Sequence, residues 1–249
     1  MMKKISIITI NYNNAAGLEK TILSVTNQRF KDFEFILVDG GSNDGSCLLL
    51  EKYKSQITNS VSEKDNGVYH AQNKGIRLAS AEYCLFLNSG DTLNNEDVLQ
   101  AVILAGMTAD IVYGDMLIDD GNKQIRGNMP DQLTFEHMIK DTLWHPVSFI
   151  KRSLFDQYGF YREDLKVVSD YDFFLKTILV HKVCTKHIPI VISVFQTDGL
   201  SSKPENEALI RRERKEVQLN YFSEKKIDAV FKLSLNDRIL RKIKQWFRS

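Results

Sequence analysis

Cysteine is scarce: the 249-residue chain has three, Cys47, Cys84 and Cys184. So odd and sparse a set is not a disulfide framework, and it fits a reducing compartment. None stands in a C-x-x-C pair, which argues against a cysteine zinc site. His70, His137, His181 and His187 show no metal-ligand spacing either. Long apolar runs are missing; the longest are a few residues and fall short of a membrane span. Met1-Met2-Lys3-Lys4 has the charge of a signal n-region. The run from Ile5 to Ile10, however, already holds Ser6 and Thr9 and stops at Asn11, too short for an h-region. A cytoplasmic protein without a cleaved leader is expected. Neither charge sign dominates: the formal net charge is +1, so the whole-chain balance points to no polyanion, and nucleic acid is not an expected partner. No G-x-G-x-x-G follows the first apolar run and no Walker A segment exists, which disfavours a dinucleotide Rossmann site and a P-loop. There is no internal repeat.

What is present is ordinary globular composition. A hydrophobic fraction of 43% with 26% charged residues excludes collagen-like, low-complexity and disordered classes. The length suits one large domain, or one domain with an appendage. Charge is partitioned along it. Residues 203–249 hold 13 Lys/Arg and 7 Asp/Glu, a net of +6, which leaves a net of −5 on residues 1–202. The chain therefore reads as an acidic body with a basic tail.

The Ile-rich run of residues 4–12 predicts a buried strand. Leu18, Ile22 and Val25 fall at helical spacing within 16–26. Phe33 to Val38 is a second strand, ending at Asp39 and followed by a Gly/Ser/Asn/Asp loop over 40–46. A short helix (47–54), a weaker strand (57–62) and a helix (67–79, with Val68, Ala71, Gly75 and Ile76 on one face) come next. Tyr83 to Leu87 is a fourth strand, a helix lies near 95–106, and 110–118 is a fifth strand. Strands alternating with helices predict an α/β fold with a mostly parallel central sheet. Farther on, Asp120-Gly121 signals a hairpin, 134–140 a helix, 146–151 a strand, 170–180 an amphipathic helix and 188–195 a strand. Thr197 to Ser202 reads as a loop, with Asp198 to Ser202 placed to order over a ligand as a lid or to be plain surface.

In such sheets ligands bind outside the carboxyl ends of the strands. Tyr12, Asp39, Asp65 and Asp91 each stand at or just past a predicted strand end. A carboxylate at Asp39 can accept from a base N–H or a ribose hydroxyl, and the glycines after it let backbone approach a ligand; a loop cap fits the same residues. Asn88-Ser89-Gly90-Asp91 puts one carboxylate and two small polar side chains on one turn. A hard divalent cation shared with a diphosphate needs one or two carboxylates, so Asp91 can serve; a helix-entry loop is the plainer alternative.

The order Ile5-Ser6-Ile7-Ile8-Thr9-Ile10-Asn11-Tyr12-Asn13, Gln28-Arg29-Phe30-Lys31-Asp32-Phe33-Glu34 and Val38-Asp39-Gly40-Gly41-Ser42-Asn43-Asp44-Gly45-Ser46 resembles glycosyltransferase family 2. Ser62-Glu63-Lys64-Asp65-Asn66-Gly67-Val68-Tyr69, Asn73-Lys74-Gly75-Ile76, Leu87-Asn88-Ser89-Gly90-Asp91 and Ser169-Asp170-Tyr171-Asp172 resemble its bacterial O-antigen, capsule and lipooligosaccharide branch. The resemblance covers about residues 4–200. It implies a GT-A fold with a catalytic domain over 1–202, made of a nucleotide-binding half (about 1–118) and an acceptor-side half (about 119–202). It also implies that Ile10, Asn11, Tyr12 and Asp39 hold the nucleotide base and ribose, with Tyr12 stacking on the base. Asp65, Asn88 and Ser89 would be further donor contacts. Asp91 matches the last carboxylate of the family's metal motif, implying Mn²⁺ or Mg²⁺. Two departures stand out: Asn88 and Gly90 replace the usual D-x-D carboxylates, and Gln72 stands where many members have a phosphate-binding arginine. Lys74 is near enough in sequence to compensate.

Asp170 matches the family's catalytic base. An acceptor hydroxyl must lose its proton as it attacks the anomeric carbon, and a carboxylate within hydrogen-bond reach can take it. Asp172, two residues on, faces elsewhere on a helix. The implied reaction is a single in-line displacement with inversion: one sugar moves from a nucleotide-diphosphate sugar, UDP being the family's commonest, to a hydroxyl. The acceptor would be a cell-surface glycan or an undecaprenyl-diphosphate-linked or lipooligosaccharide glycan. Trp144 can stack on a sugar ring and His145 can touch acceptor or diphosphate; a core tryptophan with a hydrogen-bonded histidine fits equally.

In the tail (203–249), Phe231, Leu235, Ile239, Ile243 and Phe247 recur every four residues among Lys and Arg. Residues 227–248 thus have the pattern of a helix in an anionic membrane interface, on the inner face of the membrane, and equally of a helix packed on its own domain or a partner. The Q-x-x-R-W pattern of processive family members is absent, so one transfer per encounter is expected. Two other readings stand: a non-catalytic nucleotide-sugar-binding or scaffold member, and a sugar nucleotidyltransferase. The latter needs a Gly-rich, basic phosphate loop where this chain has Asn11-Tyr12-Asn13-Asn14.

Overall fold

The structure is a computed structural model and describes residues 3–197 and 199–232. The chain opens with β1 (Ile5–Asn11), whose seven residues are all buried. Isoleucines on both faces of a strand require helices over both faces of the sheet. α1 (Ala15–Thr26) follows, capped by Asn14, which accepts from the Gly17 N–H, and buries Leu18, Ile22 and Val25. β2 (Phe33–Asp39), α2 (Ser46–Lys52), β3 (Asn59–Ser62), α3 (Val68–Leu78) and β4 (Tyr83–Phe86) continue the alternation. The second half comprises β5 (Thr92–Leu93), α4 (Val98–Ala105), the hairpin strands β6 (Ile111–Asp119) and β7 (Gln124–Gly127), and α5 (Phe135–Lys140). β8 (Ser148–Lys151), α6 (Ser153–Tyr158), α7 (Ser169–Phe174), β9 (Thr185–Gln196) and α8 (Glu207–Tyr221) complete it.

Among the described residues the strands form one sheet in the order β3-β2-β1-β4-β8-β6-β9-β5, with β7 beside β6. β3, β2, β1 and β4 are parallel. β8 runs antiparallel between β4 and β6, and β9 lies parallel to β6. The sheet is therefore parallel in the first half, as expected, and mixed in the second. Chain direction across the sheet reverses at β1, with β2 on one side and β4 on the other. That is a topological switch point, where a crevice opens at the carboxyl ends of the strands. α3 is held very close to β1 there: a Cβ on Gly75 would come within 2.4 Å of the Ile8 side chain.

Two features depart from the sequence reading. β5 and α6 were not predicted; two residues and six residues, respectively, are too short to carry a period. The helix predicted over 170–180 is α7 followed by a π-helical turn, Leu175–Val180, closed by the His181 N–H on the Lys176 carbonyl at 3.0 Å. Apolar spacing marks a helical face but does not show an inserted residue. The basic segment that begins at residue 203 packs on the body through α8, whose Val217 is fully buried in the main core. Residues 224–232 are also helical, and Ile227 and Val230 pack on Ile139. The rest of the amphipathic stripe, from 233 on, and Asp198 lie outside the described residues.

Candidate active site

A cleft of about 1000 Å³ opens over the carboxyl ends of the strands. Ile10, Asn11, Tyr12, Asp65, Asn88, Ser89, Asp91 and Asp170 all line it. These come from β1, three loops and the first turn of α7, so the fold gathers residues up to 160 positions apart onto one surface.

The loop after β2 forms one wall, and Asp39 builds it from behind. Its carboxylate accepts from Asn11 Nδ2 (2.8 Å), Ser42 Oγ (2.5 Å), the Ser42 N–H (3.0 Å), the Gly41 N–H (3.2 Å) and Ser62 Oγ (2.7 Å). Burial opposes the charge, but these donors outweigh it and hold the acid below the ordinary carboxylate range. Asp39 is fully buried and does not line the cleft. Both its oxygens are engaged in shaping the loop, an arrangement that fits the loop cap which the sequence also allowed. The loop presents Gly40 to the cleft, and Tyr12, from the loop after β1 and 68% exposed, stands beside it. A Cβ on Gly40 would lie 3.2 Å from both the Tyr12 ring and Asp65, so only glycine leaves the slot between them open.

Asp65 accepts from Lys74 Nζ at 2.6 Å and meets His70 Nδ1 at 3.2 Å. Lys74 also pairs with Glu63 at 2.7 Å. Two carboxylates hold this lysine, which raises its pKa despite burial.

The Asn88–Asp91 turn is fixed from beneath. Thr21 Oγ1 donates to the Asp91 carbonyl (2.7 Å) and accepts from the Gly90 N–H (3.0 Å); Asn14 Nδ2 donates to the Ser89 carbonyl (3.1 Å). Asp91 Oδ1 accepts from the Gln196 N–H at 3.0 Å, which ties the turn to the end of β9. Gln72 is buried beside it, its Nε2 3.4 Å from Asn88 Oδ1. Gln72 Oε1 and Asn11 Oδ1 are buried with no hydrogen-bond partner in the protein. Two orphaned acceptors on one cleft mark where ligand donors would be received. As for a cation, the described residues contain no group of three His, Cys, Asp or Glu side chains able to cage one. Asp91 alone on this turn suits a hard cation shared with diphosphate oxygens and water, and does not suit an all-protein cage.

Asp170 lines the same cleft. Its Oδ1 accepts from the Tyr69 hydroxyl at 3.0 Å, and that hydroxyl also reaches the Val167 carbonyl at 2.6 Å. His145 stacks on Phe86 with centroids 4.5 Å apart, and its Nε2 meets the Tyr161 hydroxyl at 3.2 Å. Burial lowers the His145 pKa to about 4 even though nearby Asp170 pulls it up, so the ring is neutral near pH 7. The ring is thus hydrogen-bonded and half-buried, and one edge reaches the cleft. Trp144, Pro146, Met116 and Phe195 give the neighbouring wall an apolar surface. Asp172 points away, accepting from Tyr221 of α8 at 3.0 Å.

Sequence reasoning missed Thr21, Gln196 and Tyr69, and Arg214 of α8, which also lines the cleft. Tyr69 lies in a motif that had been singled out, but its link to Asp170 spans 101 positions and no local pattern reports it.

The chain matches the model of glycosyl transferase family 2 over residues 6–162. It belongs to that family. It is 33% identical over 212 residues to an uncharacterized glycosyltransferase of Mycobacterium tuberculosis, covering 82% of this chain and 79% of that protein. It is 30% identical over 215 residues to a PGL/p-HBAD biosynthesis glycosyltransferase of Mycobacterium bovis, covering 83% and 82%. Among solved structures, Staphylococcus aureus TarS residues 1–349 in complex with UDP-GlcNAc superposes with a TM-score of 0.69 at 22% identity, covering 91% of this chain and 70% of that one. The mannosyltransferase PcManGT of Pyrobaculum calidifontis, in complex with GDP-Man and Mn²⁺, gives 0.60 at 18% identity, covering 86% and 61%. These superpositions show the GT-A-like fold, with its central sheet, flanking helices and C-terminal helical extension.

Proposed function

We propose that the protein is an inverting glycosyltransferase that moves one sugar from a nucleotide-diphosphate sugar, a UDP-sugar in the first instance, to a hydroxyl of a cell-surface glycan or lipid-linked acceptor. The observation that carries the reading is that Asp170 shares one cleft with the Tyr12, Asp65 and Asn88–Asp91 wall. In it, Tyr12 covers a nucleobase in the slot left by Gly40, beside Asp65. The diphosphate lies over the Asn88–Asp91 turn. The acceptor enters past Trp144 and Phe195. Asp170 removes the proton of the acceptor hydroxyl while its oxygen bonds to the anomeric carbon. The bond from that carbon to the diphosphate oxygen breaks, and its electron pair leaves with the nucleoside diphosphate. Holding both partners in one cleft makes this step effectively unimolecular. Asp91 would help hold Mn²⁺ or Mg²⁺, which when bound supplies positive charge to the departing diphosphate.

The activities of two relatives bear on the acceptor and support this range without choosing within it. One is the M. bovis protein named above. Another is an S. aureus poly(ribitol-phosphate) β-N-acetylglucosaminyltransferase, TarP, 39% identical over 163 residues, which cover 48% of that protein. No helix of the described residues is long and apolar enough to cross a membrane; we place the enzyme in the cytoplasm, at the inner face of the membrane.

The deciding experiment is Asp170→Asn. Turnover should fall about 100-fold or more, the usual weight of a general base, with nucleotide affinity within about twofold of wild type. Full activity in the variant would remove Asp170 from the chemistry. Failure of UDP, GDP and dTDP all to bind wild-type protein, with or without Mn²⁺, would overturn the donor site itself.

A further inference from the structure

Asp170 has a partner that the reaction as described does not use. The Tyr69 phenol sits with a single proton between two acceptors, the Val167 carbonyl at 2.6 Å and Asp170 Oδ1 at 3.0 Å. Tyr69 is buried on α3, and burial beside Asp170 pushes its own ionisation far above the physiological range, so its proton stays on the phenol. Val167 is in turn fixed: its N–H and that of Lys166 donate to the two oxygens of Glu213, a buried carboxylate on α8, at 3.0 and 2.9 Å. The second acceptor is thus held in place by an element outside the cleft loop.

We propose that Tyr69 is a positioning residue that keeps the base charged before transfer and gives up that bond when the base is protonated. The inference rests on Asp170 being the base. An ionised carboxylate is a stronger acceptor than an amide carbonyl, so the phenol proton turns to Asp170 while it is charged. Once Asp170 has taken the acceptor's proton, its charge is gone and the Val167 carbonyl is the better acceptor. The phenol proton turns to it by rotation about the C–O bond. No proton leaves Tyr69 and no charge moves through it. The effect is to favour the charged, working form of a half-buried carboxylate while the phenol keeps an acceptor in either state.

The other groups near Asp170 do not supply this. His145, from the turn before β8, is neutral above about pH 5, its pKa lying near 4. Tyr161, from the loop before α7, meets His145 instead. Arg214 of α8 lies over the Tyr171 ring at 4.0 Å and donates to the Asp141 carbonyl. Lys166 is exposed.

The test is the titration of Asp170 itself, followed by carboxyl ¹³C NMR of full-length protein labelled at aspartate, with the Asp170 signal assigned by its loss in Asp170→Asn. Tyr69→Phe removes one oxygen and should raise the Asp170 midpoint by about one pH unit, a tenfold change in proton affinity of the size expected for losing one hydrogen bond to a charged group. Tyr161→Phe, which removes an equally buried hydroxyl, should move it by less than about a third of that. An unshifted or lowered midpoint in Tyr69→Phe, or equal shifts in both variants, would overturn the proposal. The readout needs no substrate. Should Asp170→Asn keep full turnover, it is the base assignment that fails, and the two failures are told apart.

Discussion

Gln72 and His145 show how much a single cleft residue can be asked to do. A buried amide oxygen without a partner costs about 1–3 kcal/mol when nothing pairs with it, so Gln72 Oε1 is tolerable if the bound donor supplies a hydroxyl or N–H. Gln72→Leu should therefore bind UDP-GlcNAc about 5- to 100-fold more weakly while unfolding at the same or a higher temperature without ligand. Calorimetric titration beside thermal unfolding checks both signs; unchanged affinity would show that the ligand leaves this oxygen alone. His145 carries a pH signature. Its folded pKa, about 4, lies below its ordinary 6.5, so between those values the unfolded chain binds more protons than the native one. The contribution is complete above about pH 6.5 and disappears as pH falls toward 4, amounting to roughly 3 kcal/mol across the window. Urea midpoints of wild type and His145→Gln, measured between pH 4.5 and 7, should show a shallower acid-side fall in the variant. Parallel curves would mean that His145 is solvated.

At the scale of elements, two contacts set the cleft's shape. Gly75 lets α3 lie on β1, and through α3 it places both Gln72 and Tyr69. Its Cβ would stand 2.4 Å from a buried isoleucine methyl, so Gly75→Ala must displace the helix, at about 1–3 kcal/mol of overpacking. A variant as stable as wild type in urea would mean the helix shifts freely. Glu213 joins α8 to the segment just before Asp170. Glu213→Ala should lower kcat by about tenfold with donor KM nearly unchanged, because it loosens the base's chain and touches no ligand; a change confined to KM would refute that. These elements also divide what the sequence disclosed from what it hid. β1, β2 and β4 were legible as short, nearly continuous apolar runs that bury both faces, and α1 by apolar residues at a period of 3.6. The cleft rim followed from strand ends alone, which is why Tyr12, Asp65 and Asp91 could be named. Asp39 could be placed but not oriented, since its turn inward depends on Asn11, Ser42 and Ser62 converging from three segments. The role of α8 was hidden because Glu213 and Arg214 sit in a run of charge that looks like a solvated face.

For the molecule as a whole, the acidic body and basic tail meet within α8 and the helical residues after it. The sequence boundary at 203 separates them by charge, but packing continues to Val230, buried against Ile139 with Ile227. Removing residues 207–249 would uncover the face that holds Tyr171 through Gln218 (2.7 Å) and Asp172 through Tyr221 (3.0 Å), and is expected to yield insoluble or strongly destabilised protein. Removing only 233–249 spares every one of those contacts. That segment carries Arg238, Arg241, Lys242, Lys244 and Arg248 against the single acid Asp237, and each basic residue near an anionic bilayer contributes about 1 kcal/mol. The shorter deletion should leave the unfolding midpoint and nucleotide affinity as they are. It should also abolish cosedimentation with phosphatidylglycerol-containing vesicles at low salt. Binding that survives the deletion would move the membrane contact onto the body, whose net charge of −5 over residues 1–202 opposes it. A fall in the unfolding midpoint would show instead that these last residues complete the fold, and that the basic stripe turns toward its own domain.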